Sequence, residues 1–210
     1  MEKTSSVTQT KKIKSAFTVK NLVLIAMFGA LAAVLMLFEF PLPFLAPSFY
    51  ELDLSEIPVL IGTFMMGPVA GVLIETVKIL IKLLLKPTST AFVGELANFC
   101  VGCALVVPAG IIYRTHKTKK RAVIGLCTGT LAMALAAVIL NTYVMLPFYT
   151  TAFHMPLDAI IGAGTEIIPF VNSTFTFMLF CVAPFNIIKG VLTSLVVVLC
   201  YKRISILLRS

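Results

Sequence analysis

The chain has 210 residues, of which 59% are hydrophobic and only 12% charged, with a formal net charge of +8. Together with a mean hydropathy of +1.03, this composition excludes a soluble domain and points to a polytopic membrane protein. The length gives room for about six helices of roughly 20 residues, so an all-α integral membrane protein is expected, with residues 1–210 forming a single six-helix bundle.

In chain order, polar residues 1–20 form a basic tail containing Lys3, Lys11, Lys12, Lys14 and Lys20. No small-residue cleavage site follows the first apolar run, so this is not a typical removed signal. Runs able to cross a bilayer are Leu22 to Phe38, Ser55 to Met66, Pro68 to Leu85, Ala91 to Tyr113, Ala122 to Leu146 and Val182 to Leu199. The second run is short, and Gly67-Pro68 after it reads as a turn. Six crossings place both termini on one side. Arg114, Lys117, Lys119, Lys120 and Arg121 fill the fourth connection, and Lys202, Arg203 and Arg209 follow the last run. The positive-inside rule makes these segments and the N-terminal tail cytoplasmic. Glu39, Glu51, Asp53, Asp158 and Glu166 then belong to external segments 39–54 and 147–181. The positive charge reflects topology and anionic lipid, not nucleic acid.

Several function classes lack their residues. There is no phosphate-binding Gly-x-x-x-x-Gly-Lys-[Ser/Thr] loop, no His-Glu-x-x-His helix and no Gly-x-Ser-x-Gly elbow, so neither ATP hydrolysis by that route nor a catalytic or metal site is expected. Cys100-x-x-Cys103 lies in an apolar run and reads as packing.

The external segments carry more information. Residues 39–53 hold three prolines, three phenylalanines and Tyr50, which suits an ordered lid better than a flexible linker. Asp53 or Ser55 at its end could cap the second helix. Segment 147–181 is too long for an ordinary connection and carries Tyr149, Phe153, Phe170, Phe175, Phe177 and Phe180. Near the outer end of the sixth run, Asn186 and Lys189 share a helix face, and Asn141 lies near the outer end of the fifth. A charge at that depth is costly, so Lys189 either serves a polar ligand or reaches to the surface. Asn141 either serves the same ligand or ties two helices together. A flat, aromatic, hydrogen-bonding ligand suits such a floor.

Asp53-Leu-Ser-Glu-Ile-Pro-Val-Leu-Ile-Gly62, Gly67-Pro-Val-Ala-Gly71, Glu75-x-x-Lys78, Gly94-Glu-Leu-Ala-Asn98 and Asn186-x-x-Lys189, taken in order, resemble the riboflavin-specific substrate-binding subunits (S components) of energy-coupling-factor (ECF) vitamin transporters. That resemblance implies six helices and outward-facing capture of riboflavin in a prokaryotic plasma membrane. It also implies a partner module of one transmembrane scaffold and two ATPase subunits, and no cofactor beyond the transported vitamin. It carries substrate contacts to Asn141, Asn186 and Lys189, with Lys78, Glu95 and Asn98 as further candidates. Glu75 and Lys78 also read as an internal ion pair, and Glu95 as an acid at a helix N-terminus. Ala26 and Ala30, small residues four apart with Gly29 and Ala33 beside them, fit either close packing within the bundle or the face that meets the scaffold. The alternative is a subunit of the same architecture for FMN, thiamine, pantothenate or folate; a membrane-embedded enzyme is the distant one.

Overall fold

The computed structural model describes residues 18–88 and 90–207, with side chains as far as Tyr201. Lys3, Lys11, Lys12, Lys14 and Arg209 of the basic segments lie outside the described residues, as do the side chains of Lys202 and Arg203. The long helices are α1 (Val19–Leu37), α3 (Pro68–Leu85), α4 (Val93–Thr115), α5 (Lys119–Leu140) and α9 (Ala183–Leu207), with the shorter α2 (Glu56–Met66) between α1 and α3. Between α1 and α2 a two-residue antiparallel ladder pairs β1 (Phe40–Pro41) with β2 (Glu51–Leu52), closing this connection on itself.

Among the described residues, four helical stretches are long and apolar enough to cross a membrane: Val19–Leu37, Val93–Thr115, Lys119–Ala152 and Thr174–Tyr201. Their outer faces fit that role. Leu131, Leu135 and Ile139 on α5, and Val191, Leu195 and Leu199 on α9, are exposed at spacings of four, as apolar stripes against lipid would be.

Two features depart from the expected segmentation. Five-residue π turns interrupt the fifth run near its end, at Asn141–Met145, and precede the sixth, at Met178–Val182, and through them both helices continue past the predicted ends. Segment 147–181 is largely helical: it contains α6 (Leu146–Ala152), α7 (Leu157–Thr165) and α8 (Thr174–Phe177). Ser173 starts α8 with a reciprocal cap to Thr176, a local signal available in the sequence.

Close helix packing rests on small residues. A Cβ on Gly125 would come within 2.8 Å of the Ala109 carbonyl oxygen, and one on Gly190 within 2.6 Å of the Thr130 side chain, so α4, α5 and α9 approach nearly backbone to backbone. The α2–α3 turn is made by Gly67 at φ +104, a left-handed value that suits glycine, with Pro68 as the first residue of α3. Gly67 faces the Arg114 guanidinium and Tyr113 lies 3.4 Å from the Tyr201 hydroxyl, so the α2–α3 turn, the basic α4–α5 turn and the C-terminal part of α9 share one end.

The core has two parts. The larger one, around Leu60, Phe64, Ile74, Leu105, Tyr113 and Leu126, occupies the middle and the basic end. The smaller one, around Leu52, Ile160, Phe177, Cys181 and Phe185, joins segments 39–54 and 147–181 to α9.

On α1, Ala26 and Ala30 are exposed. Gly29 and Ala33 do not extend that strip, contrary to expectation. Both are buried, and Gly29 lies against Val77 of α3.

Candidate functional site

At the end opposite the basic turns, a cavity of about 360 Å³ opens between the segment joining α1 to α2, α3, α4, α5 and α9. That volume lies in the range of small-molecule sites. Asn141, Asn186 and Lys189 all line it, as do Glu95 and Asn98. A second, mostly apolar space of about 220 Å³ shares Phe49, Tyr50, Asn141, Met145 and Tyr149 with it and continues toward Phe153 and Ile160.

Each asparagine is fixed by a bond to its own helix. Asn186 Nδ2 donates to the Val182 carbonyl at 2.9 Å, and Asn141 Nδ2 donates to the Ala137 carbonyl at 2.8 Å. Both asparagines adjoin a π turn, a local widening of the helix that often accompanies functional sites. Asn141 Oδ1 also accepts from the Tyr50 hydroxyl at 2.6 Å. Tyr50 is tilted against Phe49, Phe177 and Phe185, with ring centroids 5.0, 6.3 and 5.6 Å away. Burial raises the Tyr50 phenol pKa, so it stays a neutral donor.

Lys189 has a partner that its spacing on the helix did not reveal. Its ammonium donates to Asp53 Oδ2 at 2.7 Å, and both residues are buried. Asp53 Oδ1 accepts the Ser55 backbone N–H at 2.8 Å. Ser55 precedes α2 without a side-chain cap bond, and Asp53, bonded to the Ser55 N–H, braces the approach to the helix while pairing with Lys189 of α9. Burial opposes ionisation of Asp53, yet Lys189 and then Lys78 outweigh it and hold the carboxyl down at about 2.

Lys78, a further ligand candidate, is not among the residues that line the cavity. Its side chain is fully buried, 2.8 Å from Glu56 Oε1 and 2.7 Å from Glu75 Oε2. The carboxylates occupy its donors below the floor, and its one contact toward the cavity is with Asn98 Oδ1 at 3.5 Å. One turn further, Lys82 donates to Glu95 Oε1 at 2.8 Å, while the hydroxyls of Thr88 and Thr90 donate to Glu95 Oε2 at 2.9 and 3.0 Å. Glu95 thereby holds a loop in which Ala91 and Phe92 take left-handed φ values of 48° and 69°, a strain that its hydroxyl bonds secure. One more turn out, Lys86 pairs with Glu39. That bond raises the Lys86 pKa, while burial and then Glu39 raise that of Glu51.

Of the aromatic residues expected to form the outer flap, Tyr149 lines both spaces and Phe153 the apolar one. Phe170 and Phe175 are exposed, and Phe177 is buried in the outer core beneath Tyr50. Sequence reasoning missed Tyr50, Lys82 and the Asp53 partnership. The signals were present as an aromatic in the stiff loop, a lysine four residues after Lys78, and an acid left without a surface role.

The fold and cavity define a class: a helical membrane protein with a cavity of small-molecule size near one end of its bundle. A family model described as ECF transporter, substrate-specific component, matches residues 20–201. The riboflavin transporter RibU of Staphylococcus aureus (strain TCH60) is 35% identical over 191 residues, covering 89% of this chain and 90% of that protein. The riboflavin transporter FmnP of Bacillus subtilis (strain 168) is 31% identical over 179 residues, covering 85% and 88%. Among solved structures, one described as "Structure and mechanism of the S component of a bacterial ECF transporter" superposes with a TM-score of 0.69 at 34% identity, covering 91% of this chain and 98% of that one. The chain belongs to the family of ECF transporter substrate-specific components, and is a transporter subunit rather than an enzyme.

Proposed function

We propose that this chain captures riboflavin outside the cell and delivers it inward as the substrate-binding subunit of an ATP-driven ECF transporter. The observation that carries the reading is the cavity itself: three carboxamides and an ammonium on its floor, with Tyr50, Tyr149 and Phe185 on its walls. Two relatives of about a third identity bear the name riboflavin transporter. Asn141, Asn186 and Lys189 are the proposed contacts to the flavin ring edge or ribityl hydroxyls, with Asn98 beside them and Glu95 as a wall.

In this reading the bundle crosses a prokaryotic plasma membrane six times with both termini in the cytoplasm. The shared end of the basic α4–α5 turn, the α2–α3 turn and Tyr201 supports that orientation. Exposed Ala26 and Ala30 allow a foreign helix to approach α1 closely, which suits the scaffold subunit; hydrolysis takes place in two separate ATPase subunits.

Titration of the purified chain with riboflavin tests the reading through quenching of flavin fluorescence. Saturable quenching is expected, with none of the vitamins thiamine, pantothenate or folate competing. Saturation by one of those in place of riboflavin would sink the substrate assignment. Ala26→Leu and Ala30→Leu should abolish uptake while leaving quenching intact. Normal uptake in both would remove this face from the partner interface.

A further inference from the structure

Asp53 before α2, Glu56 on α2, Glu75 and Lys78 on α3 and Lys189 on α9 form one ionic cluster at and beneath the cavity floor, each residue at most 5% exposed. Ser55 joins its two halves, donating its N–H to Asp53 Oδ1 at 2.8 Å and accepting from the Lys78 ammonium at 3.4 Å. Lys189 answers Asp53, and Lys78 answers both glutamates. Fully ionised, the cluster would set three negative charges against two positive ones. An unbalanced charge at such a depth is strongly disfavoured.

Hydrogen bonding locates the imbalance. Lys78 donates to Glu56 Oε1 at 2.8 Å, to Ser55 Oγ at 3.4 Å and to Asn98 Oδ1 at 3.5 Å, which accounts for the three N–H groups of an ammonium. Glu75 Oε2 stands 2.7 Å from the same nitrogen as an ion pair. Neither oxygen of Glu75, nor Glu56 Oε2, accepts a hydrogen bond from a described residue. The two carboxyls lie within hydrogen-bonding reach of each other, where a pair of carboxylates could only repel. With one proton between them the same contact becomes an O–H donating to a carboxylate, the short and strong kind of hydrogen bond. On the far side the acid lies against the α4 backbone: a Cβ on Gly102 would meet the Glu75 carboxyl at 2.9 Å, which leaves no room there for a further partner. Cys103 of α4, the other titratable group beside Glu75 among the described residues, carries no positive charge.

We propose that Glu56 and Glu75 hold one proton between them, with the Glu75 O–H donating to Glu56 Oε2, and that this buried acid pair is a proton-binding site beneath the cavity floor. The proton belongs to the pair and brings the cluster to zero net charge. It also positions the floor. An ionised Glu75 would draw the Lys78 ammonium toward itself and away from Asn98, which lines the cavity, whereas the neutral acid leaves that contact in place. The proposal goes beyond the flavin reading and holds whatever the cavity binds.

Infrared spectroscopy of the purified, ligand-free full chain tests it, in an ester-free detergent at pH 8, where exposed carboxyls are ionised. A protonated carboxylic acid gives a carbonyl stretch above the amide band that shifts in heavy water. The native chain should show such a band. Glu75→Gln and Glu56→Gln should each lose it, because either carboxamide restores the charge balance without a proton. Each single variant should unfold within about 4 °C of the native chain, while the double variant, with two ammoniums over one carboxylate, should fall by more than the two losses together. Absence of the band from the native chain overturns the proposal, and a band that survives both substitutions does so equally. Should neither variant fold, labelling the glutamate side-chain carboxyls with heavy carbon decides the matter on the native chain: the band shifts with the label, or the proposal fails. A native chain without the band that melts higher in sodium than in choline chloride would assign the missing positive charge to a bound cation instead.

Discussion

Removing Asp53 should expose how much of this fold depends on one buried pair. In Asp53→Ala the Lys189 ammonium, 5% exposed, loses the carboxylate 2.7 Å away. Truncating one member of a buried pair costs about 3–5 kcal/mol, because the remaining charge stays desolvated. A second route gives a lower figure. A carboxyl held at about 2 against an ordinary value near 3.9 corresponds to about 2.6 kcal/mol at neutral pH. The routes differ because lowering pH neutralises the acid while truncation also deletes its bond to the Ser55 N–H. Lys189 borders the cavity and can recruit water there, so about 3 kcal/mol is expected. The sign follows from the depressed pKa: the stabilisation is fully present above pH 4 or so and is lost as pH falls through about 2. Denaturant unfolding of the detergent-solubilised chain measures the effect. Asp53→Ala/Lys189→Met, which removes both charges, should recover at least half of the loss. A loss under about 0.5 kcal/mol for the single substitution, or a double variant no more stable than it, would refute the reasoning.

Asn186→Ala should weaken riboflavin binding by about 1–3 kcal/mol through loss of a pre-oriented carboxamide, and unchanged affinity in the fluorescence titration would remove Asn186 from the contact set. Tyr50→Phe deletes the 2.6 Å bond to Asn141, which should cost about 0.5–1.5 kcal/mol. The loss should appear mainly as faster flavin dissociation in stopped flow; an unaltered rate would show that Tyr50 does not secure the first external segment over the ligand. Gly125→Ala drives a methyl against the Ala109 carbonyl and should destabilise by about 1–3 kcal/mol. Thermal unfolding at the native temperature would contradict the close α4–α5 approach.

Much of the scaffold was legible because lipid imposes a simple rule: long apolar runs become helices, and charges gather where the chain leaves the bilayer. Gly67-Pro68 marked the α2–α3 turn for the same reason, since neither residue favours a continuing helix and the pair fixes where the reversal falls. Segment 147–181 was opaque. Its helices are 7, 9 and 4 residues long, too short for periodicity to separate them from irregular chain. The π turns beside Asn141 and Asn186 were opaque too, because one extra residue per turn leaves no composition signal.

The site divides along a different line. Asn141, Asn186 and Lys189 could be grouped because position along a helix sets depth, and depth made their polarity anomalous. Their partners could not be assigned, since a lysine in an apolar helix requires compensation without specifying where it comes from. Asp53 lies 136 residues from Lys189, and only the folding of the α1–α2 connection onto α9 joins them. The same ambiguity affected Lys78. Its spacing from Glu75 predicted an ion pair, which exists, but Glu56 from α2 completes the enclosure and seals the lysine under the floor. Two lysines of α3 and a third just past its end thus share a spacing of four and have three different standings: Lys78 sealed, Lys82 in the wall and Lys86 at the mouth. Depth in the bundle, set by which acid each one meets, decides what each can do for a ligand.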